Sequence, residues 1–166
     1  MQKINLAVLI LLACSLAASC NQSQEKDTQP QNTFERAPSM ASVKEDLTQR
    51  GFEIFDYVDQ ATGDTVIMQK YFIAFLKTGP NRDQSQEVAD SLQTLHMEHL
   101  GNMYELGYAD ISGPFDQDGD IRGITIYNVP NKQMADSLAN ADPSVQAGRL
   151  LIEIHPWWAA KGFSLR

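Results

Sequence analysis

The chain has 166 residues, with 21 acidic side chains against 13 lysines and arginines and a formal net charge of −8. So acidic a balance excludes a nucleic-acid surface, where phosphate contacts need clustered cations, and electrostatic adhesion to anionic lipid. The two cysteines, Cys14 and Cys20, both lie at the start, so the rest of the chain can form no disulfide, cysteine zinc site or catalytic thiol.

Met1 to Asn5 carry one positive charge, Lys3, and Leu6 to Ala13 carry none. Small residues follow, and Leu16-Ala17-Ala18-Ser19-Cys20 closes the segment. That order is a secretory signal, far short of the ~20 apolar residues of a membrane span. A cysteine directly after small residues resembles the bacterial lipobox, in which it becomes the lipid-modified first residue. Cys14, after Leu11-Leu12-Ala13, is the second candidate. Cys20 is preferred, because cutting before Cys14 leaves a very short signal and an apolar stub. Asn21 to Met40 is rich in Gln, Asn, Ser and Thr, and its one strong apolar residue before Met40 is Phe34. Such a segment cannot bury enough surface to offset its ordering entropy. The expected organisation is a signal peptide over 1–19, a flexible tether over 20–41 and one domain over 42–166. The expected location is the bacterial cell envelope, with the acyl anchor alone at the membrane.

Ser42-Val43-Lys44-Glu45 has capping-box spacing, and Gly51 would end a short helix. Phe52 to Asp59 reads as a strand, Ala61-Thr62-Gly63-Asp64 as a turn, and Thr65 to Lys77 as the partner strand. Within it, Tyr71-Phe72-Ile73-Ala74-Phe75-Leu76 is nearly all apolar, which predicts cover on both faces. Asp83 would cap a long helix with Val88, Leu92, Leu95, His99, Met103 and Leu106 inward, ended by Gly107. Strands are predicted over Tyr108–Ser112 and Ile121–Val129, joined through the turn dipeptide Asp118-Gly119. A helix over Lys132–Asn140, a short turn from Asp142-Pro143 to Gly148 and a last strand over Leu150–His155 complete the chain. Strand, helix, strand, strand, helix, strand is an α+β ferredoxin-like split βαβ plan, here with an extra N-terminal hairpin strand. A second copy is the simplest cover for the sheet face without helices, which predicts a homodimer through that face. The extra strand competes for that role.

His96, then Gly107, then Gly113-Pro114-Phe115 leading into Asp118-Gly119-Asp120-Ile121-Arg122-Gly123, then Ala141-Asp142-Pro143 to Gly148 and His155-Pro156-Trp157, follow in order along the chain. Together they resemble the YCII-related (YciI-like) family over about Gln69 to Trp158. The resemblance implies a dimeric α/β-barrel form of the ferredoxin-like fold. It also implies a pocket near the dimer interface, built around a helix histidine and the aspartate of the Asp-Pro turn. Those map to His96 and Asp142. It implies lyase-like or hydrolase-like chemistry on a small molecule. The lipobox, the tether and the Phe52–Asp59 strand depart from the family's minimal pattern.

His96 lies at the edge of the helix stripe, where an imidazole can transfer a proton; His99 lies in its middle, as core or as substrate contact. Asp142 is the expected cap of its own turn, and a further role requires the same carboxylate to reach His96. Arg122 would bind an anionic substrate group or pair with Asp120. His155 is a third candidate substrate contact. His96, His99 and His155 as zinc ligands lack a suitable helical spacing, so no metal and no cofactor is expected. Asp116, Asp118 and Asp120 place their glycine wrongly for a calcium loop. Trp157 and Trp158 either wall a pocket or anchor the last strand. Two functions stand open: a cell-envelope small-molecule enzyme using a His-Asp pair, and a non-catalytic small-ligand-binding or assembly domain. A hydrogen-bonded pair facing an open cavity favours the first.

Overall fold

The computed structural model describes residues 38–165. The expected signal peptide, both cysteines and nearly all of the tether lie outside them. Helix α1 is Met40–Gln49, followed by β1 (Ile54–Val58) and β2 (Thr65–Thr78). Helix α2 (Gln86–Glu105) leads to β3 (Ala109–Pro114) and β4 (Ile121–Tyr127). Then come α3 (Lys132–Asn140), the single turn α4 (Pro143–Gln146) and β5 (Leu150–Ala160).

Helix α1 begins before Ser42, because Ser39 is extended and its side chain accepts the Ser42 N–H. The tether boundary at 41/42 therefore falls inside a helix. In α2 the cap is Ser85, whose hydroxyl accepts the Val88 N–H, in place of Asp83. The last strand continues past His155 to Ala160. Pro156 does not stop it, since β5 is an edge strand pairing only with β2, and one side of its ladder needs no N–H.

All neighbouring strands are antiparallel. β5 runs along one edge of β2 and β4 along the other, with β3 beyond β4. The order β5-β2-β4-β3 is the ferredoxin-like arrangement. β1 extends the β4 side of β2, paired to its first residues from Thr65 to Gln69. The extra N-terminal hairpin strand is thus present.

The main core lies between the sheet and its helices. Phe72, Ala74, Tyr127 and Ile154 from the sheet meet Met103 of α2 and Ala135 and Ala139 of α3. The expected α2 stripe is corrected: His96 and Met103 are its buried residues, while Val88, Leu95 and Leu106 are exposed. Helix α2 packs against α4 and β3, so the residues turned inward are those facing α4 and the sheet.

By strand alternation, Ile67, Tyr71, Ile73 and Phe75 share the opposite face. Leu47 and Val43 of α1, with Phe52, pack on Ile67. Helix α1, more than strand β1, therefore covers that end of the face. Ile73 and Phe75 stay half-buried. Tyr71 is buried, and burial, with the Asp110 charge adding to it, pushes its hydroxyl up to about 12.

Candidate functional site

Two bulges shape the β3–β4 end. The β2–β4 register steps from Leu76↔Gly123 to Lys77↔Ile121, so Arg122 is an extra residue there. The β3–β4 register steps from Ala109↔Tyr127 to Ile111↔Ile126, so Asp110 is another. A bulge re-aims the side chain it carries. Arg122 lines a cavity of about 620 Å³ on the helix side of the sheet. Asp110 instead accepts from Asn128, which in turn accepts from the buried Gln69.

The cavity lies between α2, the strands β3 and β4, and the link from α4 into β5. His96, Met97 and Tyr104 of α2 form one wall. Ser112, Pro114 and Gly123 form the facing one. A Cβ on Gly123 would stand 2.6 Å from the Gly113 carbonyl oxygen, so only glycine lets β3 and β4 close there.

His96 is 8 % exposed and its Nδ1 lies 2.5 Å from Asp142 Oδ2. Asp142 is buried at 2 %, and its other oxygen, Oδ1, accepts the Ser144 N–H at 2.8 Å. One carboxylate therefore caps α4 and orients the imidazole. The Ser144 hydroxyl donates to the Leu92 carbonyl, which ties α4 to α2. A proton on Nδ1 satisfies that carboxylate oxygen and leaves Nε2 of a neutral ring as an acceptor. Nε2 has no hydrogen-bond partner among the described residues, and His96 lines the cavity. This arrangement suits proton abstraction or delivery at a bound molecule. Tyr127 is buried nearby; burial, then the Asp142 charge, hold its hydroxyl well above the usual tyrosine range, so it stays protonated.

Other sequence candidates fall elsewhere. His99 does not line the cavity; it is half-buried, and its Nε2 is enclosed with no partner among the described residues. His155 lies outside the cavity: it is exposed and pairs with Phe75 and Glu153 on the opposite sheet face. There Glu153 bridges His155 at 2.7 Å and Lys77 at 3.2 Å. The hydrogen bond to His155, then Lys77, hold its carboxyl below the ordinary glutamate range. The three histidines considered for zinc are thus dispersed, and no metal-holding group of His, Cys, Asp and Glu forms among the described residues. Arg122 pairs loosely with Asp118 at 3.6 Å, while Asp120 joins Lys77. Trp158 meets Phe55 edge-on at 5.0 Å and Trp157 lies beside Tyr71, so the two clasp the strands rather than wall the cavity.

Sequence reasoning missed Arg82 and Arg149, which line the cavity near the α4–β5 link. They are 67 residues apart and meet only because β2 and β5 pair, with Arg82 Nη1 donating to the Arg149 carbonyl at 3.2 Å.

The fold and the cavity together define a ferredoxin-like domain with a helix-side hollow, lined by a histidine that a buried aspartate holds. No family model and no curated protein matches the chain. Among solved structures it is similar to 5-chloro-2-hydroxyhydroquinone dehydrochlorinase (TftG) from Burkholderia phenoliruptrix AC1100, in complex with 2,5-dihydroxybenzoquinone. The identity is 20% and the TM-score 0.41, over 52% of this chain and 92% of that one. A likeness of that size carries nothing about the chemistry of the hollow, which rests on this chain's own residues.

Proposed function

We propose that this is a small-molecule lyase or hydrolase of the YCII-related type, with His96 as the proton-transfer group and Asp142 as its positioning partner. The observation that carries the reading is the 2.5 Å contact between the buried carboxylate and Nδ1 of an imidazole that lines a cavity of about 620 Å³. An aspartate serving only its own turn has no need to reach a helix 46 residues away in sequence. A screen of small acids, ketones and esters, read by proton NMR for deuterium exchange at carbon and for hydrolysis, tests it. The wild type is expected to turn over at least one compound, and His96→Gln to slow that reaction by about 10²–10⁴-fold. Turnover unchanged in His96→Gln removes the imidazole from the mechanism. A chain that binds but never converts compounds is a ligand-binding domain.

The homodimer belongs to the same proposal. Ile73, Phe75 and Ile124 are only half-buried on the helix-free face, beside the exposed Leu151 and Trp157. A second copy would bury them. Light scattering at micromolar concentration is expected to give twice the chain mass, and a stable monomer would rule the pairing out.

The lipid anchor rests on Leu16-Ala17-Ala18-Ser19-Cys20. Expressed in a bacterium, the chain is expected to take up a fatty-acid analogue and to lose that label in Cys20→Ser. Label that persists moves the anchor to Cys14 or elsewhere.

A further inference from the structure

We propose that the cavity beside His96 takes a small organic acid, gripped through its anionic group by Arg82 and Arg149, which both line it. The proposal names a substrate class for the proton-transfer site and rests on that reading only for the chemistry after binding. The protein as a whole is strongly acidic, at −8, yet the charged residues lining this cavity, His96 apart, are Arg82, Arg122 and Arg149, with no aspartate or glutamate. Most cations of the described residues already have a carboxylate: Lys44, Arg50, Lys70, Lys77, Arg122 and Lys132 are each paired. Arg82 and Arg149 are not among them. Their hydrogen-bond partners are neutral: the Arg149 carbonyl for Arg82, and Gln84 Oε1 at 2.7 Å for Arg149. Lys161, the remaining described cation without a carboxylate, lies over the Tyr71 ring instead.

Each guanidinium keeps donors to spare. A carboxylate or enolate in the cavity would take up those donors, in the planar geometry that arginine suits better than lysine. The rest of the ligand would lie against Leu76, Met97, Leu100 and Tyr104. That mixture of apolar wall and convergent polar groups is the ordinary make-up of a small-molecule pocket. The anion would hold the ligand at one end and leave its carbon framework toward His96 Nε2.

Titration calorimetry of the whole chain with benzoate and phenylacetate, and with their neutral amides, tests this. The acids are expected to bind at least about tenfold more tightly than the amides, a difference of about 1.4 kcal/mol. Arg82→Gln, at an exposed position, and Arg149→Gln are each expected to weaken the acids about tenfold and leave the amides unmoved. Arg149→Lys should recover part of the loss. Added salt should weaken the acids selectively. Calorimetry reads binding and not turnover, so a failed catalytic reading leaves this test intact. Acids and amides binding alike, acid binding that survives both Arg→Gln variants, or no acid binding at millimolar concentration overturns the proposal.

Discussion

Asp142→Asn should lower turnover by about 10²–10³-fold and leave the domain folded. Asparagine is as good a cap as aspartate, so the Ser144 N–H keeps an oxygen acceptor and α4 survives. The change falls on the second oxygen. An amide nitrogen placed at Oδ2 would set donor against donor at the Nδ1 contact. The imidazole escapes by moving its proton to Nε2, and Nδ1 then accepts from the amide. The nitrogen facing the cavity becomes an N–H and can no longer take a proton from a ligand. Nitrogen-15 NMR of the ring reads this tautomer change directly, and a merely structural role for Asp142 would not produce it. Asp142→Ala differs in kind. It removes the cap, at about 0.5–2 kcal/mol, and leaves a buried imidazole donor unpaired, at about 1–3 kcal/mol. A loss of about 2–4 kcal/mol by chemical denaturation is expected for alanine, against less than about 1 kcal/mol for asparagine. Equal turnover in the wild type and Asp142→Asn would show that the carboxylate only caps its turn.

What could be read from the sequence divides by range along the chain. Helix α3 begins and ends where local signals placed it, because Asn131 directly precedes it and accepts the Met134 N–H. The strand order followed from the alternation of elements. Caps were legible only to within a few residues: Ser39 replaced Ser42 and Ser85 replaced Asp83. In each case several capping side chains lie close together, and local spacing does not choose among them. The α2 stripe misled because helical spacing finds a face without saying what it meets. His96 and Asp142 came from the resemblance to a family, and no spacing rule links them. Arg82 and Arg149 carried no local signal, because their adjacency is a product of the long β2–β5 ladder.

That ladder makes a second large effect predictable, at Gly79. Where β2 ends, the Gly79 N–H donates to the Arg149 carbonyl, and the Asn81 N–H donates to that of Gly148. The Asn81 side chain donates to Ala147, and Arg82 to the same Arg149 carbonyl that Gly79 uses. The loop leading into α2 is thereby stapled to the turn leading out of α4. A Cβ on Gly79 would stand 2.1 Å from the Gly148 carbonyl oxygen and 2.6 Å from the Arg149 carbonyl carbon. Both are backbone atoms of a turn whose own glycine sits at φ +73 against Asn81, so neither side can yield cheaply. Gly79→Ala should therefore destabilise by about 3 kcal/mol, the upper part of the overpacking range, and lower the melting temperature by roughly 10 °C. Gly101→Ala is the matched control. It lies inside α2 with nothing within 4 Å of its Cβ position. Alanine there should be neutral or should stabilise by up to about 1 kcal/mol. The staple also sets the spacing of Arg82 and Arg149. At temperatures where Gly79→Ala is still folded, it should bind benzoate more weakly than the wild type. A Gly79→Ala melting temperature within about 2 °C of the wild type would mean that the two loops part freely, and that nothing in the backbone fixes Arg82 against the α4–β5 link.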